Sequence, residues 1–280
     1  MFRRQRTGSV ICASCGLLVG VNDETCYNCG RRNPGLWGYG PALRALGRDM
    51  GFVPFVIGTS IVVYGFALLL SMADPQGIQM GGIFSMLGPS PIALVRLGAS
   101  GEVPVFRLGR WWTVLSAGWL HAGLLHIAFN MLALRQIAPA IAEMYGPGRM
   151  VIIYTAGSVA GFTLSSLAGE YIRIGAGSFT VGASAAIAGL IGAMWYYGKR
   201  GGSSMASSYA SSFVLYMVII GFAGGIDNWA HGGGFAGGYF AARFLDPLKP
   251  ERVDHMAIAL GCLVLSILSI IVSVLTPLGI

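Results

Sequence analysis

The placement of charge constrains this chain more than any other feature. Only 10% of its 280 residues are charged, where a soluble domain carries about 25%. The deficit is concentrated. No Asp, Glu, Lys or Arg occurs in residues 50–73, 111–134, 150–169, 174–198, 201–226 or 255–280. A helix needs roughly 20 apolar residues to cross a bilayer, so each of these six gaps is long enough. A seventh, between Asp227 and Arg243, is shorter and contains His231. The pattern predicts an all-α polytopic membrane protein with seven spans, about Phe52–Met72, Thr113–Leu134, Val151–Ala168, Gly182–Tyr197, Tyr209–Ala223, Asn228–Leu245 and His255–Leu275. A soluble protein that buries all seven as core helices is the rejected alternative.

Residues 1–40 are polar, basic and cysteine-rich, so the first hydrophobic segment is expected to be an anchor rather than a cleaved leader. With the N-terminus cytoplasmic, fourteen of the 18 Lys and Arg fall inside, among them Arg44, Arg48, Arg135 and Arg149. Only Arg96, Arg107, Arg110 and Arg173 fall outside. Because cytoplasmic loops carry the excess of basic residues, the expected topology is N-terminus in and C-terminus out, in a cell (inner) membrane. The net charge of +7 then needs no nucleic acid to explain it, and none is expected as a partner.

Residues 1–40 read as a separate module. Cys12 and Cys15 form one Cys-x-x-Cys pair, Cys26 and Cys29 a second, and each pair is followed by Gly. Four thiolates in this spacing match a closed tetrahedral zinc site. Gly16 and Gly30 suit the tight knuckles through their freedom to adopt positive φ. So short a segment buries little core, and metal binding would supply the missing stability. A redox dithiol or two disulfides are the competing readings; a cytosolic location disfavours disulfides. The ribbon's own partner is left unidentified. Cys262, in the last span, reads as a packing residue.

A stretch rich in Gly and Pro, Asn33 to Pro41, leads through Arg44 and Arg48 in a linker of residues 41–51 to the first span. The segment from Ala73 to Arg110 is too long for a simple connection and too apolar for a free linker. Its Ile83, Phe84, Met86 and Leu87 suggest a loop lying partly in the outer interface, with Trp111 and Trp112 as anchors. No internal repeat is evident, which weighs against a transporter built from duplicated halves.

Ionisable side chains inside a membrane are costly and mark function. His121, His126 and His231 all fall within predicted spans; His255 begins the last. With the expected topology, His121, Ser184 and His231 sit at similar depth near the outer ends of spans two, four and six. Ser184, Ala188 and Gly192 recur every fourth residue on span four, and Gly234 and Gly238 do so on span six. Small residues on facing helices permit close backbone approach, which would bring Ser184 within hydrogen-bonding reach of His231, as an activated nucleophile requires.

Around these positions the chain reads Gly109-Arg110-Trp111-Trp112, then His121, His126, Asn130 and Met131. Span four opens Gly182-Ala183-Ser184-Ala185, and span six reads Ala230-His231 followed by Gly234 and Gly238. These segments resemble the His-x4-His-x3-Asn, Gly-x-Ser-x and Ala-His-x2-Gly-x3-Gly motifs of the rhomboid family, in that family's order. The resemblance covers residues 52–245 and implies a six-helix catalytic core, residues 246–280 adding a linker and a seventh helix.

It further implies an intramembrane serine endopeptidase acting on a transmembrane protein substrate, with no catalytic cofactor. Ser184 would be the nucleophile and His231 its base. His126 and Asn130, one turn apart on one helix face, would form the oxyanion hole with the Ser184 backbone N–H. His121, about 140° away on an ideal helix, reads as an orienting residue, and Gly182, Gly234 and Gly238 as structural. A substrate gate is expected between spans two and five, capped by the loop at Gly224 and Gly225. No acid is placed to serve as a third member, although Asp227, four residues before His231, could approach it; Glu143 reads as structural. Ala185 stands where the family often has Gly, and Thr113 follows Trp112 where the family often has Arg, a loop-anchoring place that the resemblance would leave to nearby Arg110. A catalytically inactive rhomboid-like protein that binds transmembrane helices is the alternative. An intramembrane metal enzyme is disfavoured, because His121 and His126 lack the His-Glu-x-x-His spacing.

Overall fold

The computed structural model describes residues 4–13, 15–41, 49–82, 85–175, 177–222, 226–249 and 251–278. Arg44, Arg48, Ile83, Phe84, Gly224 and Gly225 lie outside them. A small antiparallel hairpin, β1 (Ser9–Ile11) with β2 (Leu18–Gly20), is followed by helices of 18 or more residues. They are α1 (Phe52–Met72), α2 (Leu124–Tyr145), α3 (Pro147–Leu167), α4 (Ser184–Gly201), α5 (Ser204–Phe222), α6 (Asn228–Leu245) and α7 (Val253–Leu275). Four of them, α1, α2, α3 and α7, are long and apolar enough to cross a membrane by length and composition alone. The chain is a multi-pass membrane protein. Large apolar side chains such as Val62 and Leu69 on α1, and Leu260 and Leu265 on α7, face outward, as lipid contact requires.

The second helix departs most from expectation. It begins at Leu124 rather than Thr113 and runs to Tyr145, eleven residues past the expected end. Thr113–Ser116 makes one helical turn and Ala117–Trp119 a tighter one, after which Leu120 is extended with ψ 152°. Gly123, with φ 178° and ψ 168°, is extended too, so no helix passes through it. Arg135 ends the charge gap without ending the helix: it sits mid-helix with its side chain exposed, where a long basic side chain reaches out to polar surroundings.

Between α1 and α2 the chain is folded rather than loose. A short helix, Pro91–Leu97, is capped by Ser90, whose hydroxyl accepts from the Ala93 N–H. Its Leu94 and Leu97 are buried with Ala67 and Leu120. Trp111 is exposed, as an anchor would be. Trp112 instead turns inward and donates its indole N–H to Ser273 Oγ at 3.0 Å.

The centre of the bundle is α3, α4 and α6. A Cβ added to Gly157 of α3 would lie 2.8 Å from the Gly189 Cα of α4. One added to Gly238 of α6 would strike the Gly189 carbonyl, and one on Gly234 the Ala185 carbonyl. The expected stripe is therefore offset. Gly192 does meet α6, at Phe235 and Tyr239, but Ala185 and Gly189 rather than Ser184 and Ala188 complete the contact. Ser184, one residue earlier and so about 100° around the helix, is turned toward a cavity. Ala185 fits without Gly because the opposing α3 residue is Gly161, whose added Cβ would lie 2.8 Å from the Ala185 Cβ.

At the opposite end from Ser184, buried Arg149 donates to the carbonyls of Tyr145, Leu245 and Asp246, the last two at 2.8 and 2.9 Å. Beside it the Glu251 carboxylate accepts from the Arg149 backbone N–H at 2.8 Å, closing the N-terminus of α3.

Substituting Gly238 by Ala should destabilise the bundle by about 1–3 kcal/mol through overpacking. Gly261→Ala on α7, where nothing lies within 4 Å, should be neutral or stabilising by up to about 1 kcal/mol. Thermal unfolding in one detergent compares them; equal losses would refute the close-approach account.

Candidate active site

Ser184 opens α4, and His231 lies one turn into α6. His231 Nε2 and Ser184 Oγ are 2.9 Å apart. Asp227 reaches neither. It caps α6, accepting from the Ala230 N–H at 3.0 Å, and takes a second hydrogen bond from the Ser165 hydroxyl. The other ring nitrogen of His231, Nδ1, is buried with no hydrogen-bond partner among the described residues. Asp227 thus makes no third member by hydrogen bonding: its oxygens are taken up by a helix end and a hydroxyl.

Both side chains border a cavity of about 1500 Å³ that Phe129, Asn130, Tyr216 and Trp229 also line. His126 faces it from the first turn of α2. Its Nδ1 accepts from the Ala122 backbone N–H at 3.3 Å, so in the neutral ring the proton resides on Nε2. That nitrogen points toward Gly182, where an added Cβ would lie 2.6 Å from it and 3.7 Å from Ser184 Oγ. Asn130, one turn on, donates to the His126 carbonyl at 2.9 Å. Above Ser184 the helix has no side-chain cap, Ala183 offering none. Among the described residues its first N–H groups thus have no side-chain acceptor, and they lie at the positive end of a helix dipole.

His121 corrects the helical-wheel reading. It precedes α2 on the extended segment, so no angle around the helix describes it. It is buried, with its ring edge-on to His126 at 5.3 Å. Neither ring nitrogen has a hydrogen-bond partner among the described residues. Gly182 is at φ 126°, a backbone that L side chains rarely adopt. Gly234 and Gly238 sit in the α4–α6 contact. No side-chain pattern marks Ala122, whose contribution is a backbone N–H, or the Ala117 carbonyl, which accepts from the Gly182 N–H at 3.0 Å. Gly161 was visible only as a small residue on a third helix.

A second site lies in the N-terminal segment. The sulfurs of Cys12, Cys15, Cys26 and Cys29 lie within 4.8 Å of one another, with Cys12–Cys29 at 3.7 Å and Cys15–Cys26 at 3.6 Å. Zinc–thiolate bonds of about 2.3 Å in a tetrahedron place sulfurs roughly 3.8 Å apart, so the donor set fits zinc. Gly16 and Gly30 have φ of 76° and 69°, forming the expected knuckles. The Leu17 N–H holds the Cys15 thiol down at about 6, whereas burial pushes Cys29 up to about 12.

A family model for the rhomboid domain matches residues 108–247, half of the chain, with His126, Asn130, Ser184 and His231 inside the match. The chain belongs to the rhomboid family. Rhomboid protease GluP of Bacillus subtilis is 36% identical over 54% of this chain and 29% of its own length. RHOMBOID-like protein 1 of Arabidopsis thaliana is 32% identical over 59% of this chain and 42% of its own. The family also includes the Arabidopsis protein named Inactive RHOMBOID-like protein 8, 29% identical over 69% of this chain and 58% of its own. This rhomboid thus spans less than two thirds of each of these relatives.

Gly182→Ala should force a side chain into positive φ and push His126 aside. The expected cost is about 1–3 kcal/mol of stability, with altered His126 imidazole signals in nitrogen-15 NMR. Unchanged signals would mean that the ring does not rest against Gly182.

Proposed function

We propose that the protein is an intramembrane serine endopeptidase that hydrolyses a peptide bond in or beside the transmembrane segment of another membrane protein. The observation that carries this reading is the 2.9 Å contact between Ser184 Oγ and His231 Nε2 at the edge of a cavity. Ser184 attacks the scissile carbonyl, while His231 takes the hydroxyl proton and returns it to the leaving amine; water, deprotonated by His231, then cleaves the acyl–Ser184 ester and restores the hydroxyl. The oxyanion meets the Ser184 N–H, the His126 Nε2–H and the Asn130 side chain, each such donor supplying roughly 3–4 kcal/mol. Substrate enters between α2 and α5, from which Phe129 and Tyr216 line the cavity.

On this reading residues 1–40 are a cytoplasmic zinc ribbon, 41–51 a linker, 52–245 the catalytic core, and 246–280 a linker with the seventh span. The N-terminus is cytoplasmic and the C-terminus outside. The rival reading, an inactive family member that binds transmembrane helices, draws on the named inactive relative. Retention of both Ser184 and His231, with His126 and Asn130, favours the protease.

Co-expression with a single-span model substrate tests the activity. Cleavage by the parent should vanish in Ser184→Ala and His231→Ala proteins that still reach the membrane, and Asn130→Ala should lose about 10²–10³-fold in kcat. Equal cleavage by all variants would overturn the dyad. No cleavage of any substrate across a panel would favour the non-cutting reading.

Elemental analysis of the purified protein should find one zinc per chain. Cys12→Ser should lower that content and expose the ribbon to proteolysis while leaving core unfolding unchanged. Because the ligands must be thiolates, zinc should be lost as pH falls; metal content insensitive to Cys12 would refute the site.

A further inference from the structure

The seventh helix lies beyond the stretch that matches the family model, residues 108–247, yet it is tied into that stretch at Arg110. This arginine is only 1% exposed. Its Nη1 donates to the Val95 carbonyl in the last turn of the short Pro91–Leu97 helix. Its Nη2 donates to the carbonyls of Ser273 and Thr276 at the C-terminal end of α7, the latter at 3.3 Å. Two residues on, the Trp112 indole N–H donates to Ser273 Oγ, and the Trp112 carbonyl accepts from the Ser269 hydroxyl at 2.7 Å. Ser273 also packs on Gly98, whose added Cβ would lie 2.7 Å from its Oγ.

From there the connection runs to the nucleophile through backbone alone. Ser100 and Thr180 exchange both hydrogen bonds, at 3.1 and 2.7 Å, and the Val103 N–H donates to the Ser178 carbonyl at 3.0 Å. The Ala117 carbonyl accepts from Gly182 N–H at 3.0 Å, and Ala117 is buried against Ala185 and Ala230. The segment 178–182, which leads into Ser184, is therefore gripped at three points by residues 100–117. Residues 110–112 of that grip are fastened to α7.

We propose that Arg110 is a positioning residue through which the seventh helix fixes the backbone leading into Ser184. The inference rests on the proposed protease reading for its kinetic consequence but not for its structural one. A planar fork serving three carbonyls on two helices suits Arg and not Lys, whose ammonium is a point charge without that fixed geometry.

The test uses the full-length protein in proteoliposomes. Arg110→Lys, Trp112→Phe and Ser273→Ala are compared with Arg149→Lys, a buried arginine at the opposite end of the bundle. Amide hydrogen exchange over residues 178–186 should quicken on the order of tenfold in the first three and stay at the parent rate in Arg149→Lys, even where that variant melts earlier. With a cleavable substrate, kcat per folded molecule should fall on the order of tenfold with KM unchanged, Arg149→Lys keeping the parent kcat. Should Arg110→Lys fail to fold, the two milder variants carry the comparison. Parent-like exchange at 178–186 in folded Arg110 or Trp112 variants would overturn the proposal, as would equal acceleration in Arg149→Lys. Should no substrate be cleaved even by the parent, the protease reading fails and the exchange comparison still decides the latch.

Discussion

The rest of the structure depends on how closely three helices approach one another. Lipid gives helices no hydrophobic reason to associate, so packing must do it. Here it does so through Gly157, Gly161, Gly189, Gly192, Gly234 and Gly238, positions where an added Cβ meets backbone of a facing helix. This contact sets the spacing of α4 and α6, and with it the distance between Ser184 and His231. A pair of ordinary leucine faces would hold the axes too far apart for a hydroxyl and an imidazole to touch.

A second constraint is the helix ends. Backbone groups buried away from water must find partners inside the protein. Buried Arg149 closes α2 and α6 at one end of the bundle, and buried Arg110 closes α7 and the short loop helix at the other. Glu251 serves the start of α3 and Asp227 the start of α6. The start of α4, like that of α2, lacks this provision. It has no side-chain cap, and it opens at Ser184 beside a cavity, where donors left unclaimed are available to a developing negative charge.

Helix number, the zinc-compatible cysteines and the residues around Ser184 and His231 were legible because each rests on a local pattern. Charge gaps report apolar length, Cys-x-x-Cys reports a knuckle, and small residues report close approach. The start of α2 was illegible for the same reason: the stretch around His121 is apolar whether it is helix or extended, and one glycine's φ decides between them. The phase of the α4 stripe was misread by one residue, since Ser, Ala and Gly are all small and spacing alone does not say which of two adjacent rows faces the partner. The grip of residues 100–117 on 178–182 is made of backbone hydrogen bonds, to which side-chain identity is nearly blind. Arg110 appeared in the sequence as one of few basic residues on its side and as a stand-in for the family's loop Arg, with nothing to say that it reaches the seventh helix.

The lack of a carboxylate at His231 follows from these same constraints. A serine–histidine pair ordinarily gains orientation from a third group on Nδ1, and Asp227 is close enough in sequence to be considered. Its oxygens are taken up by the Ala230 N–H and the Ser165 hydroxyl, so it orients the first turn of α6 and makes no hydrogen bond to the imidazole among the described residues. The imidazole is then oriented by the helix that carries it, pressed at Gly234 and Gly238 onto α4 and at Gly233 and Gly237 onto α3. On the proposed reading, rigidity of a glycine-packed helix takes the place that a hydrogen-bonded acid fills elsewhere.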